Sequence, residues 1–220
     1  MAKSQDGIQS IPEPTLRRLP VYYQYVKNHK ADEVHVSCTQ IAQALNQKPI
    51  QVRKDLEIAG AIGKPRLGYP VADLVDILEQ FLGYRRVDDA FLIGAGHLGL
   101  ALLGYEGFKE RGLNIAAAFD SDPHKIGERF HGKEILHIDT FTKLVERMKI
   151  PIGILTVPAQ EAQKIADMMV KAGIKAIWNF APVHIHVPED IIVQHENLAS
   201  SLVVLSKKLS AQLEHRIEEA

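Results

Sequence analysis

Cysteine is nearly absent from this chain: its 220 residues hold one, Cys38. No internal disulfide can form, and a reducing compartment is expected. Long apolar runs are missing too. None approaches the ~18 residues of a membrane-spanning helix, although a hydrophobic content of 46% is ample for a core. The start, MAKSQDGIQS, lacks the apolar segment of a secretory signal. Net charge is also small, at -1, so the chain as a whole shows no pull toward polyanions or membranes. These absences leave a cytoplasmic protein of one large or two small domains.

The neutral total hides an asymmetry. Residues 1–86 carry 12 Lys+Arg against 9 Asp+Glu, a net of +3, and residues 87–220 carry 14 against 18, a net of -4. The first half is the one suited to a polyanion. Ser37-Cys38-Thr39-Gln40 has the form of a capping box, opening a helix through Leu45. Asn46-Gln47-Lys48 turns the chain, and Pro49 suits the first turn of a second helix that stops at Gly60. In that helix Ile50, Val52, Leu56 and Ala59 are expected to face a core, and Gln51, Arg53 and Lys54 to face out. Two short helices around a tight turn form a helix-turn-helix, whose second helix reads the major groove. Gly63 to Tyr69, with Lys64 and Arg66, reads as a wing. Lys48, Arg53, Lys54, Lys64 and Arg66 offer phosphate contacts, and Gln51 and Arg53 are chemically able to read base edges. Flanking helices are expected over residues 13–29, with a break or kink at Pro20, and over residues 72–83.

The second half alternates strands and helices. Strands are expected at Ala90–Ile93, Ile115–Phe119, Ile152–Val157 and Ala176–Trp178, with helices near 97–110, 139–148 and 159–172, so a parallel α/β sheet follows. Directly behind the first strand stands Gly94-Ala95-Gly96-His97-Leu98-Gly99. This G-x-G-x-x-G spacing, between a strand and a helix, is the fingerprint of a dinucleotide pyrophosphate loop. Asp120, about 20 residues past Gly99, stands where an acid accepts ribose hydroxyls, which favours NAD(H) over NADP(H). The ends of later strands, Thr156-Val157-Pro158 and Asn179 to Ala181, should reach the same crevice, although both also read as plain strand-end turns.

Chemistry around this loop is sparse. Tyr105-x-x-x-Lys109 imitates a dehydrogenase pair but falls directly after the glycine loop, and His184-Ile185-His186 lacks the further ligands of a zinc centre. Neither a catalytic group nor a metal site is expected. Leu198, Leu202, Leu205, Leu209 and Leu213, extended by Ile217, stripe a helix of roughly 20 residues, long enough to cover the sheet or to pack on a partner subunit. The expected organisation is a DNA-binding domain over 1–83, a nucleotide-binding domain over 84–196 and a dimerisation helix over 197–220.

The segments RRLPVYYQYV, QVRKDL, GKPRLGY, LIGAGHLGLAL, FDSDPHKIG and AGIKAIWNFAPV together resemble the redox-sensing transcriptional repressor Rex family, over about residues 12–210. The resemblance implies an N-terminal winged helix, a Rossmann domain and a C-terminal helix swapped within a homodimer. It implies a repressor that NADH releases from operator DNA. It places Gly94 to Gly99 at the pyrophosphate, Asp120 at the ribose, Arg53 and Lys54 in the recognition helix, and Lys64 and Tyr69 in the wing. Tyr105, and Arg17 or Arg18, fall at positions of the redox switch. The chain departs from that pattern at His97 (commonly Asn), Asn197 (often Asp), Glu57-Ile58-Ala59 and Pro65-Arg66. Two other readings stay open, a small NAD-dependent oxidoreductase and a Rossmann protein that binds coenzyme A.

Overall fold

The computed structural model describes residues 11–28 and 34–218; the polar start and residue 29 of the expected first helix lie outside them. The chain forms two compact units, Met1–Arg86 and Val87–Ala220.

In the first unit, α1 (Glu13–Asn28), α2 (Cys38–Ala44), α3 (Pro49–Ile58) and α4 (Val71–Phe81) surround one apolar core. Two short strands, β1 (His35–Val36) and β2 (Tyr69–Pro70), pair antiparallel. Ser37 caps α2 through a complete capping box with Gln40, and Pro49 opens α3. The expected break at Pro20 does not occur: α1 continues through it. Leu19, Tyr22, Tyr23 and Val26 on either side are buried in the core, and this packing outweighs the one backbone hydrogen bond that proline withholds. Ile50 also departs from expectation. It is 73% exposed, while Val52, Leu56 and Ala59 are buried.

The second unit is a seven-stranded sheet. Its strands are β3 (Asp88–Ile93), β4 (Leu113–Asp120), β5 (Arg129–Phe130), β6 (Lys133–His137), β7 (Ile152–Leu155), β8 (Ala176–Asn179) and β9 (Ile192–His195). They lie in the order β5-β6-β4-β3-β7-β8-β9, all parallel except the β5–β6 hairpin. With β3 as the first strand, the parallel part has the 3-2-1-4-5-6 order of a doubly wound nucleotide fold, and its switch point falls between β3 and β7. Helices α5 (His97–Leu103), α6 (Phe141–Met148) and α7 (Ala159–Ala172) follow β3, β6 and β7. The last helix, α8 (Leu198–Glu218), behaves differently. Every one of its described side chains, Ala199 to Leu213, is exposed, including Leu202, Leu205, Leu209 and Leu213; the side chains of Leu198 and Ile217 lie outside the described ones. The leucine stripe therefore does not cover the sheet of its own chain.

Candidate functional site

The switch point holds a crevice of about 1040 Å³ at the carboxyl ends of β3, β4 and β7. Its floor is the glycine loop. Gly94 has φ +102, a left-handed conformation, and lies against the Thr156 carbonyl with no room for a Cβ. Gly99 serves packing: a Cβ there would run into the Gly94 carbonyl oxygen. Thr156 ties the two strand ends together, its Oγ1 donating to the carbonyls of Gly94 at 2.8 Å and Ile93 at 3.0 Å. Gly94, Gly96, His97 and Leu98 line the crevice, as do Thr156, Val157 and Pro158. Ala95 is buried behind them.

Asp120 lines the crevice at the end of β4, against the glycine loop. Its Oδ2 accepts from the Ala95 N–H at 2.8 Å and from Lys125 Nζ at 3.0 Å, and its Oδ1 from the Asp122 N–H at 2.9 Å. Burial alone would raise its pKa, but these donors outweigh it and hold the carboxyl below its ordinary value. A negative charge is thus fixed beside the glycine loop. Asn179 is a different case. It is fully buried, and its amide donates to the Val183 carbonyl at 2.8 Å and meets His195 Nδ1 at 2.9 Å, while its oxygen accepts from the Ala181 N–H at 2.9 Å. Its hydrogen bonds close the turn after β8, and its neighbours Phe180 and Pro182 reach the crevice instead of Asn179 and Ala181. Tyr105 lies at the far end of α5 and lines a separate hollow with Lys109, His131 and Lys133. The crevice also contains groups the sequence did not single out, among them Lys125, Asp139, Glu161 and Lys164. Of these, only Lys125 carried a signal, five residues past the acid it pairs with.

The first unit presents a second surface. On α3, Ile50, Arg53, Lys54 and Glu57 recur at i, i+3, i+4 and i+7, and all are exposed. Arg53 Nε meets Glu57 Oε1 at 2.9 Å. Lys48 stands exposed at the N-cap. Lys64 and Arg66 are exposed on the wing, which the backbone pair Lys64–Gly68 closes. Tyr69 does not join them: its ring is buried in the core, where its hydroxyl accepts from Cys38 Sγ at 3.6 Å.

The opposite face of α3 carries the feature that sequence reasoning missed. Asp55 is 0% exposed. Its carboxylate receives Arg18 through two nitrogens, at 2.7 and 2.8 Å, Thr15 at 2.9 Å, Tyr22 at 3.0 Å and Gln51 Nε2 at 3.0 Å. Desolvation pushes its pKa up, yet the hydrogen bonds from Arg18, Thr15, Tyr22 and Gln51 bring it below its ordinary value. Burial, with Asp55 beside it, pushes the Tyr22 hydroxyl up to about 12. Gln51 is therefore drawn inward rather than outward, and Arg18 is held by α3. Arg17 is exposed and pairs with Glu13 at 2.7 Å. Asn197 caps α8, its Oδ1 accepting from the Ser200 N–H at 3.1 Å. Among the described residues no three His, Cys, Asp or Glu side chains gather as a metal site, and no helix is long and apolar enough to cross a membrane.

A winged helix with its cations turned outward, joined in one chain to a doubly wound nucleotide fold, defines a two-domain regulator class rather than a one-domain reductase. The family described as "CoA binding domain" matches residues 86–183, and that described as "Putative DNA-binding protein N-terminus" matches residues 10–57. The redox-sensing transcriptional repressor Rex of Treponema denticola is 49% identical over 93% of this chain and 98% of its own. That of Bacteroides thetaiotaomicron is 48% identical over 91% of each. The chain belongs to the Rex family of redox-sensing transcriptional repressors. Among solved structures, RSP in complex with β-NAD+ and operator DNA superposes with a TM-score of 0.86 at 34% identity, over 96% of this chain and 98% of RSP. RSP in complex with β-NADH gives 0.85 at 34% identity, over 94% and 98%.

Proposed function

We propose that this chain is a cytoplasmic, homodimeric repressor whose hold on operator DNA is set by the NADH/NAD+ ratio, with NADH releasing it. The single observation that carries the reading is the crevice at the switch point. There the Gly94–Gly99 loop and the ionised Asp120 lie side by side, joined by the Ala95 N–H, on the lining of a crevice that suits a pyrophosphate and a ribose diol. RSP, similar over nearly its whole length, takes both β-NAD+ with operator DNA and β-NADH. Coenzyme A is the alternative ligand that the family match raises. Asp120 favours the dinucleotide, because a carboxylate accepts from a free ribose diol and repels a phosphorylated one.

In this reading Gly94 and Gly96 give the backbone its close approach to the pyrophosphate, Asp120 orients the ribose, and Val157, Pro158 and Phe180 wall the nicotinamide end. The exposed leucines of α8 pack on the partner subunit in the swapped arrangement, and Tyr105 and Arg17 or Arg18 each belong to the redox switch. Lys48, Lys54, Lys64 and Arg66 contact phosphates and Arg53 a base edge. NADH and NAD+ differ by one charge and by ring planarity. Only a difference in their affinity for the DNA-competent and released states shifts the population. The test is titration of the DNA upstream of the protein's own gene with each nucleotide in turn. NADH should raise the apparent Kd and NAD+ should not. Equal responses at saturation, or stabilisation by coenzyme A in place of NADH, would sink the reading.

A further inference from the structure

The outward stripe of α3 contains one side chain that electrostatics does not explain. Ile50, Arg53, Lys54 and Glu57 share a face; three are charged, and Ile50 is apolar and 73% exposed. It occupies the first turn of α3, directly after Pro49 and beside the exposed Lys48. Scattered exposed apolar residues are ordinary in folded proteins, and Ile58, Ile62 and Leu67 in the same unit are further examples. Ile50 differs from them in position. It sits at the N-terminal end of the helix that a helix-turn-helix lays in the major groove, and the first residues of that helix are the ones that meet base edges. Its neighbours on the face, Arg53 and Lys54, are cations that draw that end against the duplex. Nothing in the fold needs it there. The core positions of α3 are Val52 and Leu56, with Ala59 at its C-cap, all buried without its help.

The major groove offers one apolar group, the C5 methyl of thymine, and apolar side chains are what recognise it. On the repressor reading above, we propose that Ile50 is a specificity-determining residue that packs on a thymine methyl. Arg53, one turn further along the same face, reads a base edge within one or two base pairs of that thymine, since i and i+3 side chains lie about 5–6 Å apart. Gln51 has its amide bound to the buried Asp55, so the apolar contact takes over discrimination that the sequence had assigned to Gln51.

The experiment deletes the methyl from either side. A duplex is selected from random sequence by the full-length protein without NADH, and each thymine is replaced in turn by deoxyuridine, which lacks only the methyl. At one thymine in each half-site the replacement should weaken the wild-type protein roughly fourfold, the worth of one buried methyl-sized group, and should leave Ile50→Ala unaffected. Ile50→Val, which keeps two methyls, should regain most of the sensitivity at that thymine. The slope of affinity against salt should be the same for Ile50→Ala and wild type, whereas Lys54→Gln lowers it by about one. Ile50→Ala carries no folding risk, because the side chain is exposed and alanine is a good helix former. Equal losses for wild type and Ile50→Ala at every thymine, or undiminished binding by Ile50→Ala, would overturn the proposal. Failure of the wild-type protein to enrich any duplex would overturn the repressor reading and this proposal with it.

Discussion

The two units keep their polar chemistry in opposite places. In the first, the strongest electrostatic feature is sealed inside: Asp55 sits in the core and is met by four side chains, three of them on α1. The charged groups turned outward on α3 and the wing are the cations Arg53, Lys54, Lys64 and Arg66, with Glu57 beside Arg53. In the second, Asn179 is the one buried polar side chain among the described residues, and the charged group of interest, Asp120, opens onto the crevice. The difference separates holding from binding. The inner carboxylate fixes the pose of a reading helix, so the outer cations do not have to hold it in place. The crevice carboxylate is held ionised by backbone N–H groups and Lys125, and it keeps an open side toward a ligand.

Breaking the inner carboxylate is the severest way to test this contrast. Removing one member of a buried ion pair costs about 3–5 kcal/mol, so Asp55→Ala should speed amide exchange throughout α1 and α3 and leave β3 to β9 protected. Acid should have the same local effect. The folded pKa of Asp55 lies below its ordinary value. Its stabilising contribution is therefore present above the usual carboxylate range, about pH 4, and is lost as pH falls through the lower folded value. Asp55→Asn should flatten that acid limb for the first unit alone. A protein whose two units lose protection together would refute the separation.

The same contrast shows what was legible in the sequence. Local signals read well. The Ser37 capping box, the turn at Pro49 and the glycine loop each depend on residues a few positions apart, and each forms as its pattern states. Asp55 was illegible because an acid among cations on a short helix looks solvated. Its partners Thr15 and Tyr22 are 40 and 33 positions away. Ile50 was misread because position 50 fits the apolar period of α3 as well as Val52 does, and only the packing of α1 and α4 decides which face is covered. The strands β5, β6 and β9 escaped because each lies at or beside a sheet edge and mixes polar with apolar residues, without the continuous apolar run of a buried strand. Asn179 matched a ligand-facing position by its place after β8, yet its amide geometry belongs to the turn.

The helix α8 belongs to neither pattern, and the next largest effect should come from it. Leu205 is 63% exposed and Leu209 54% within one chain, an apolar stripe with no surface beneath it. Leu205→Glu together with Leu209→Glu should convert a dimer to single chains by light scattering and weaken operator binding by the loss of the second half-site. The far-ultraviolet spectrum of the two units should change little. A variant that remains dimeric would place the subunit contact elsewhere.

A smaller effect belongs to the crevice. Asp120→Ala removes a charged acceptor, and the loss of such a hydrogen bond is worth about 1.5–3 kcal/mol. NADH affinity should fall at least about tenfold, while binding of operator DNA without nucleotide stays at the wild-type level. Calorimetry and a gel-shift titration check the two halves of the statement. Loss of both activities would mean that the Ala95 and Asp122 N–H groups need Asp120 to hold the loop itself.

The smallest effect concerns His97, the one side chain of the glycine loop that can donate a hydrogen bond. It is the first residue of α5, exposed, and it lines the crevice beside Gly96. An imidazole N–H and an asparagine amide can each donate to a phosphate oxygen, and such a bond is worth about 0.5–1.5 kcal/mol. His97→Ala, which removes the donor, should therefore weaken NADH binding by about threefold in calorimetry, and His97→Asn should restore most of it. If alanine binds NADH as tightly as the wild type, the side chain makes no contact with the nucleotide and His97 is a tolerated replacement for the asparagine common in the family. If asparagine restores the affinity that alanine loses, the second unit holds its ligand through a side-chain donor as well as through the backbone of the glycine loop.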